Sequence, residues 1–259
     1  MRDLGLEEAI RVAGGVVALA RRLGISQPSV SNWSRVPADR VLSVETATGV
    51  SRATLRPDLY AVHAGTAGDV DEVDAARAQE YALISVLLAR APDAALLQRL
   101  ATLRGDASPL GLAHAKLAEA AERASVERVE REYFDLFIGL GRGELLPYGS
   151  YYLTGFLHER PLARLRAHLD QLGIERAEGQ AEPEDHAAIL CEIMAGLASQ
   201  RFPAPAGSER EMFEQHLAPW IGRFFADLEQ AEGADFYRRV GALGRVFVQI
   251  ETEAFALPA

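Results

Sequence analysis

One cysteine in 259 residues, Cys191, is the first shortage in this sequence. It excludes an internal disulfide, and without a second thiol it excludes a zinc knuckle. Set in an apolar helical run, Cys191 reads as core. No run of 18 apolar residues occurs, and the opening MRDLGLEEAIRVAGG has acids and arginines where a signal peptide needs an uninterrupted apolar centre. The expectation is a cytoplasmic chain with no membrane insertion. Alternating strand patterns and internal repeats are missing too. So are the G-x-S-x-G turn of a hydrolase and a glycine-rich phosphate loop. The histidines stand singly in sequence, none flanking His186 at ligand spacing, so no metal is expected. No cofactor and no catalytic residue is assigned, and the chain reads as a non-enzyme.

What is present is unevenly distributed. The chain carries a net charge of −10, yet residues 1–62 hold eight arginines against six acids, leaving 19 basic and 31 acidic residues for the remainder. A mildly basic head suits phosphate, whereas an acidic body repels nucleic acid and suits a basic peptide. Between them VHAGTAGDVDEVDA, residues 62–75, has two glycines, four acids and no basic residue. It reads as a linker, giving a head at 1–61 and a body at 76–259.

The body is a succession of amphipathic helices separated by Gly/Pro punctuation, so the fold class is all-α. Tyr81, Ile84, Leu87 and Leu88 share one helical face, followed by Leu96, Leu100 and Leu103 on the next. Val129, Tyr133, Leu136, Phe137 and Leu140 share a side, as do Phe236, Val240, Leu243, Phe247 and Ile250. Ser208 and Glu211 have capping-box spacing. Pro219 should restart the helix it interrupts.

In the head, LARRLGISQPSVSNW carries the packing code of a helix-turn-helix. Ala20 is small where helices cross, Gly24 supplies positive φ at the turn, and Leu19, Leu23, Ile25, Val30 and Trp33 occupy buried positions. Ser26 caps the second helix and Pro28 sits in its first turn. Gln27, Ser29, Ser31, Asn32 and Arg35 then face outward, with chemistry suited to adenine edges, other bases and phosphates of double-stranded DNA. The small positive charge implies weak monomer binding, so reading a palindrome would need a homodimer. The stretch from about residue 6 to 61, closing on TGVSRATLRPDLY, resembles the Cro-like antitoxin or repressor family typified by YdaS. That resemblance implies a DNA reader using Gln27 to Asn32.

The segment AEPEDHAAILCEIM is the densest in the body. Pro183 fits the first helical position, and Glu184 and Asp185 suit the positive end of the helix dipole. His186 shares the apolar side of Ile189, Leu190 and Ile193, either as a buried structural residue or as a polar contact at a groove rim. Residues 133–156 add seven of the 19 aromatics. Three tyrosines within five residues each require a hydroxyl partner if buried, which favours a half-exposed surface.

The stretches EYFDLFIGLGRGELLPYGSYYL, EPEDHAAILCEIMAGL and FEQHLAPWIGRFFADL are similar to the TorD/DmsD/NarJ family of all-helical molybdoenzyme chaperones, from about Ala75 onward. The resemblance implies a larger TorD-like helical domain behind the small helix-turn-helix. It also implies binding of the twin-arginine signal peptide and of the apo molybdoenzyme catalytic subunit. Domain-swapped dimers occur in such a family. Carried over by position, Tyr148, Ser150, Tyr152, Asp185 and His186 would contact peptide, with Trp220 as a packing element. Gly149 and Tyr151 depart from the family pattern, which has an acid and an aliphatic residue there. Carboxylates such as Glu182, Glu184 and Asp185 suit the basic head of such a peptide. The alternative is a helix-turn-helix transcriptional regulator whose helical body senses some other peptide or a small molecule.

Overall fold

The computed structural model describes residues 3–56, 72–176, 179 and 181–257, which form parts of two compact units, Met1–Asp69 and Val70–Ala259. Among the described residues the structure is helical, with a single isolated β-bridge between Tyr148 and His186. Residues 62–71 of the expected linker lie outside the described residues. Residues 72–75 are already helical, because Glu72 and Asp74 in a first turn favour the helix dipole and Asp74 pairs with Arg77 at 2.8 Å.

The head contains α1 (Leu4–Ala13), α2 (Val16–Arg22), α3 (Gln27–Ser31), a 3₁₀ turn at Ala38–Arg40, α4 (Val41–Thr48) and α5 (Arg52–Leu55). Asp3 caps α1 by accepting from the Leu6 amide at 2.9 Å. Between α2 and α3 the chain turns through Gly24 at φ +64°, a conformation glycine adopts without strain. Ser26 then accepts from the Ser29 amide and starts α3, with Pro28 in the first turn. Leu6, Leu19, Val30, Val36, Val41, Val44 and Leu55 are fully buried, and Leu23, Ile25 and Trp33 pack against them. The packing pattern read from the sequence is the one that forms.

The body contains α6 (Glu72–Ala89), α7 (Ala94–Ala101), α8 (Pro109–Arg123), α9 (Val126–Tyr133), α10 (Gly149–Thr154), α11 (Arg160–Leu172), α12 (Ala187–Ala198), α13 (Ser208–Met212), α14 (Ile221–Gln230) and α15 (Phe236–Ala256). Helix α12 is buried nearly all round and lies along α6, with α14 and α15 packed as a pair and α8 against α15. A helix apolar on every side is stable only in the middle of a bundle. Cys191 sits there, 2% exposed, its thiol pushed up to about 12 by burial. Such a thiol is inert.

Two π-turns interrupt the helices, Phe134–Ile138 after α9 and Phe213–Leu217 after α13. The first explains why Leu140 misses the core: the wider turn shifts the register, the helix ends at Ile138, and Leu140 is 97% exposed. Ile250 also departs from its expected stripe and is 41% exposed. Glu251 takes the buried place. Its carboxylate accepts from Arg77 Nε and Nη2, both at 2.7 Å, and from the Tyr81 hydroxyl at 2.8 Å. The capping box at Ser208 does not form, because Gly207 is the N-cap and Ser208 is buried as the first helical residue. Pro219 does restart the chain, with α14 beginning two residues later.

Arg77 also reaches Glu209 at 2.5 Å, so it neutralises a cluster that is otherwise acidic. Replacing Arg77 by Ala strands Glu251, which is 1% exposed, without its cation. The expected loss is about 3 kcal/mol in urea unfolding, recovered in part by adding Glu251→Gln. A loss within experimental error would contradict this account of the cluster.

Candidate functional site

The acidic motif folds differently from its expected helix start. Helix α12 begins at Ala187, and its N-cap is His186, whose Nδ1 accepts from the Ala188 amide at 3.1 Å. Pro183 to His186 form a turn instead, closed by the His186 amide donating to the Pro183 carbonyl at 3.1 Å. Glu184 pairs with Arg166 at 2.8 Å and does not serve the dipole of α12.

Asp185 is drawn away from α12 by a second segment. The Gly149 amide donates to the Asp185 carbonyl at 2.9 Å and the Ala187 amide to the Pro147 carbonyl at 2.8 Å, making the antiparallel bridge of Tyr148 with His186. The Asp185 carboxylate then accepts from the Ser150 amide at 2.7 Å. Helix α10 has no side-chain cap from its own N-cap residue, Tyr148. Asp185 supplies that cap from 35 residues away, and its negative charge also meets the positive end of α10.

Trp220 completes the junction. It is 1% exposed, its Nε1 donates to the His216 carbonyl at 2.8 Å, and it lies against Gly149. A Cβ on Gly149 would stand 3.0 Å from Trp220 Nε1. A glycine at 149 thus leaves the indole room against the start of α10.

Outward from this junction the surface is aromatic. Tyr148 donates to Glu182 at 2.6 Å, with its ring 5.0 Å from that of His186. Tyr152 donates to Asp227 at 2.9 Å and lies 5.6 Å from Trp220. Burial, and then the hydrogen bond to a carboxylate, push both phenols up, so they remain donors. Beside Tyr152 opens a cleft of about 420 Å³, lined by Leu145, Leu146, Tyr151, Arg223 and Asp227 among others. Ile138, Leu140, Leu153, Phe156 and Leu157 are 40–97% exposed on the same length of chain.

The seven body residues assigned from sequence therefore separate into two groups. Tyr148, Tyr152 and Glu182 are half-buried or exposed, while Ser150, Asp185, His186 and Trp220 are at most 6% exposed. The buried four shape the surface from beneath. Arg223 and Asp227 line the cleft without a sequence signal, since α14 joins α10 only through folding, whereas Tyr151 belongs to the tyrosine cluster read from the sequence. The sequence also scattered the histidines, yet His168 Nδ1 and His216 Nε2 are 3.0 Å apart, and His114 lies 2.9 Å from Glu80. His63 lies outside the described residues.

In the head, Gln27, Ser29, Asn32 and Arg35 are exposed and Ser31 is half-buried. Gln27 Nε2 donates to Ser31 Oγ at 2.9 Å and Ser29 bonds Ser26 at 2.7 Å, which arranges a polar face on α3. Arg21 and Arg22 are exposed at the end of α2 beside it.

Residues 103–226 match the family described as nitrate reductase delta subunit, and residues 6–63 match the family described as bacterial toxin YdaS. The chain is 28% identical over 127 residues to the chaperone protein TorD of Vibrio cholerae, covering 46% of this chain and 58% of that one. It is 26% identical over 209 residues to TorD of Shewanella loihica, covering 72% and 96%. It is 29% identical over 132 residues to the probable Tat proofreading chaperone DmsD of Haemophilus influenzae, covering 50% and 63%. The matched stretch thus spans less than two thirds of the Vibrio and Haemophilus proteins.

Two outcomes follow from the junction. Alanine normally stabilises a helical glycine position by about 0.5–1 kcal/mol. Gly149→Ala should reverse that sign and cost about 1–2 kcal/mol, because the buried, hydrogen-bonded indole cannot withdraw. Urea unfolding monitored by circular dichroism reads the sign directly. Burial, with His168 and Arg164 nearby, lowers His216 from 6.5 to about 4, and burial also lowers His186. Each stays neutral in the fold while its unfolded counterpart protonates. Stability should therefore fall as pH drops from about 6.5 towards 4, and fall less in His216→Gln. An unfolding midpoint that is flat over that window, or a drop unchanged in the variant, would contradict it.

Proposed function

We propose, from a chain whose residues 103–226 match the nitrate reductase delta subunit family, whose residues 6–63 match the YdaS family and whose relatives include TorD chaperones, that the protein is a cytoplasmic maturation chaperone. Its body receives the twin-arginine signal peptide and the apo form of a molybdopterin oxidoreductase. Its head docks on double-stranded DNA, as a homodimer. No bond is made or broken, so the protein is not an enzyme.

The observation that carries this reading is the stretch of chain from Ile138 to Leu157, the arm, which exposes five large apolar side chains and also supplies Leu145, Leu146, Tyr151 and Tyr152 to the cleft. Large apolar side chains left exposed in number on one short stretch fit a surface that a partner covers. A signal peptide offers the complement, an apolar centre for the arm and a basic head for Glu182, Glu144 and Asp227. The 2.6 Å bond between Tyr148 and Glu182 supports the same assignment, since it fixes a carboxylate at the edge of the aromatic surface. The exposed amide and guanidinium groups of Gln27, Asn32 and Arg35 support the DNA reading in the head.

Calorimetric titration of the full chain with twin-arginine signal peptides tests the body. Saturable binding is expected, weakened about tenfold or more by Phe156→Asp or Tyr152→Ala. An unaltered affinity in both variants would remove the arm from the account. Mobility shift of genomic DNA fragments tests the head: Gln27→Ala with Asn32→Ala should abolish a shift that the wild type gives. A shift in the wild type without peptide binding by the body would favour a transcriptional regulator that senses another ligand.

A further inference from the structure

The cleft at Tyr152 already holds a guanidinium of the protein's own. Arg223, exposed on α14, has its Cζ 5.7 Å from the centre of the Tyr152 ring. Asp227 lies four residues further along the same helix, the spacing at which an arginine and a carboxylate ordinarily pair. Among the described residues, however, Arg223 forms no salt bridge, and Asp227 instead accepts the Tyr152 hydroxyl at 2.9 Å. That bond pushes electron density into the ring, which strengthens its attraction for a cation. Glu144 lines the cleft from the opposite segment. The neighbouring Tyr151 ring, 6.1 Å away and nearly perpendicular, carries a second guanidinium, Arg142, at 5.9 Å.

The geometry points to a guanidinium subsite in this cleft, built from the Tyr152 face with Asp227 and Glu144, in which Arg223 is an internal occupant that an incoming arginine must displace. This rests on the reading of the body as a receptor for an arginine-bearing signal segment. A planar guanidinium stacks on an aromatic face and bonds a carboxylate edge-on at the same time, whereas an ammonium does not. Arg223 is near the ring, 5.7 Å from its centre, without the carboxylate bond. A partner's arginine entering the cleft makes both, and that difference favours exchange. An exposed cation–π contact is weak enough to be given up. Arg223 thereby sets a threshold: weakly complementary basic segments fail to displace it.

Arginine amide, titrated against the full chain by NMR, is the probe that does not depend on the client. Arg223→Ala should bind it roughly three- to tenfold more tightly than the wild type, because a competitor and a like charge are both removed. Arg223→Lys should fall between them, and Asp227→Asn should cancel the gain. Affinity in Arg223→Ala equal to or below the wild type's would overturn the proposal. A peptide with an Arg-Arg pair followed by an apolar segment should show the same gain, and its Lys-Lys counterpart none. If arginine amide shows the gain and the peptide binds neither protein, the subsite stands and the signal-peptide reading falls. If the peptide binds but neither probe gains from Arg223→Ala, the reading stands and the internal occupant is wrong.

Discussion

The carboxylate of Asp185 on the amide of Ser150 is the contact on which the candidate surface depends. Helix α10 has only six residues, too few to be stable alone, and its own N-cap residue gives it no side-chain bond. Asp185 provides that bond, and the bridge of Tyr148 with His186 doubles it. Each end of the clamp therefore starts a helix: His186 caps α12, the most buried helix of the body, while Asp185 caps α10, which carries Tyr151 and Tyr152. Charge and burial act together here, because an ionised acceptor makes a stronger bond and a 3% exposed one is shielded from competing water.

The arrangement divides labour between two layers. Beneath, Asp185, His186 and Trp220 are buried with side chains bonded to backbone, and Ser150 is buried with its own amide in one of those bonds, so their geometry is fixed by the core. Above, Tyr148, Tyr151, Tyr152 and the apolar side chains of the arm meet solvent. A surface of that composition is costly to leave exposed, and a rigid base lowers the ordering entropy that covering it would cost. The head follows the opposite rule. Its apolar residues are spent on a small core, and its outward face on α3 is polar.

Much of this was legible in the sequence because it was local. The turn code of the head is a matter of fixed spacing, and Gly24, Ser26 and Val30 behave as their spacing requires. The helices of the body follow from apolar periodicity in the same way. What escaped was non-local. Pro183 and the two acids after it form a well-shaped helix start, and a competing partner 35 residues upstream moved that start to Ala187. Leu140 left its stripe because a π-turn adds a residue that no periodicity announces, and Glu251 replaced Ile250 because Arg77 lay opposite. Arg223, Asp227 and the His168–His216 pair are brought to their neighbours by tertiary packing alone.

The central claim is that Asp185 acts as a clamp beneath the arm and not as a contact on its surface. Amide hydrogen exchange tests it most directly. In the wild type the amides of Gly149, Ser150 and Ala187 should be protected like those of the core helices α6 and α15. In Asp185→Ala, protection of Gly149 to Thr154 should collapse while α6 and α15 keep theirs. Rapid exchange of Ser150 in the wild type, or protection of α10 that survives the substitution, would contradict the account.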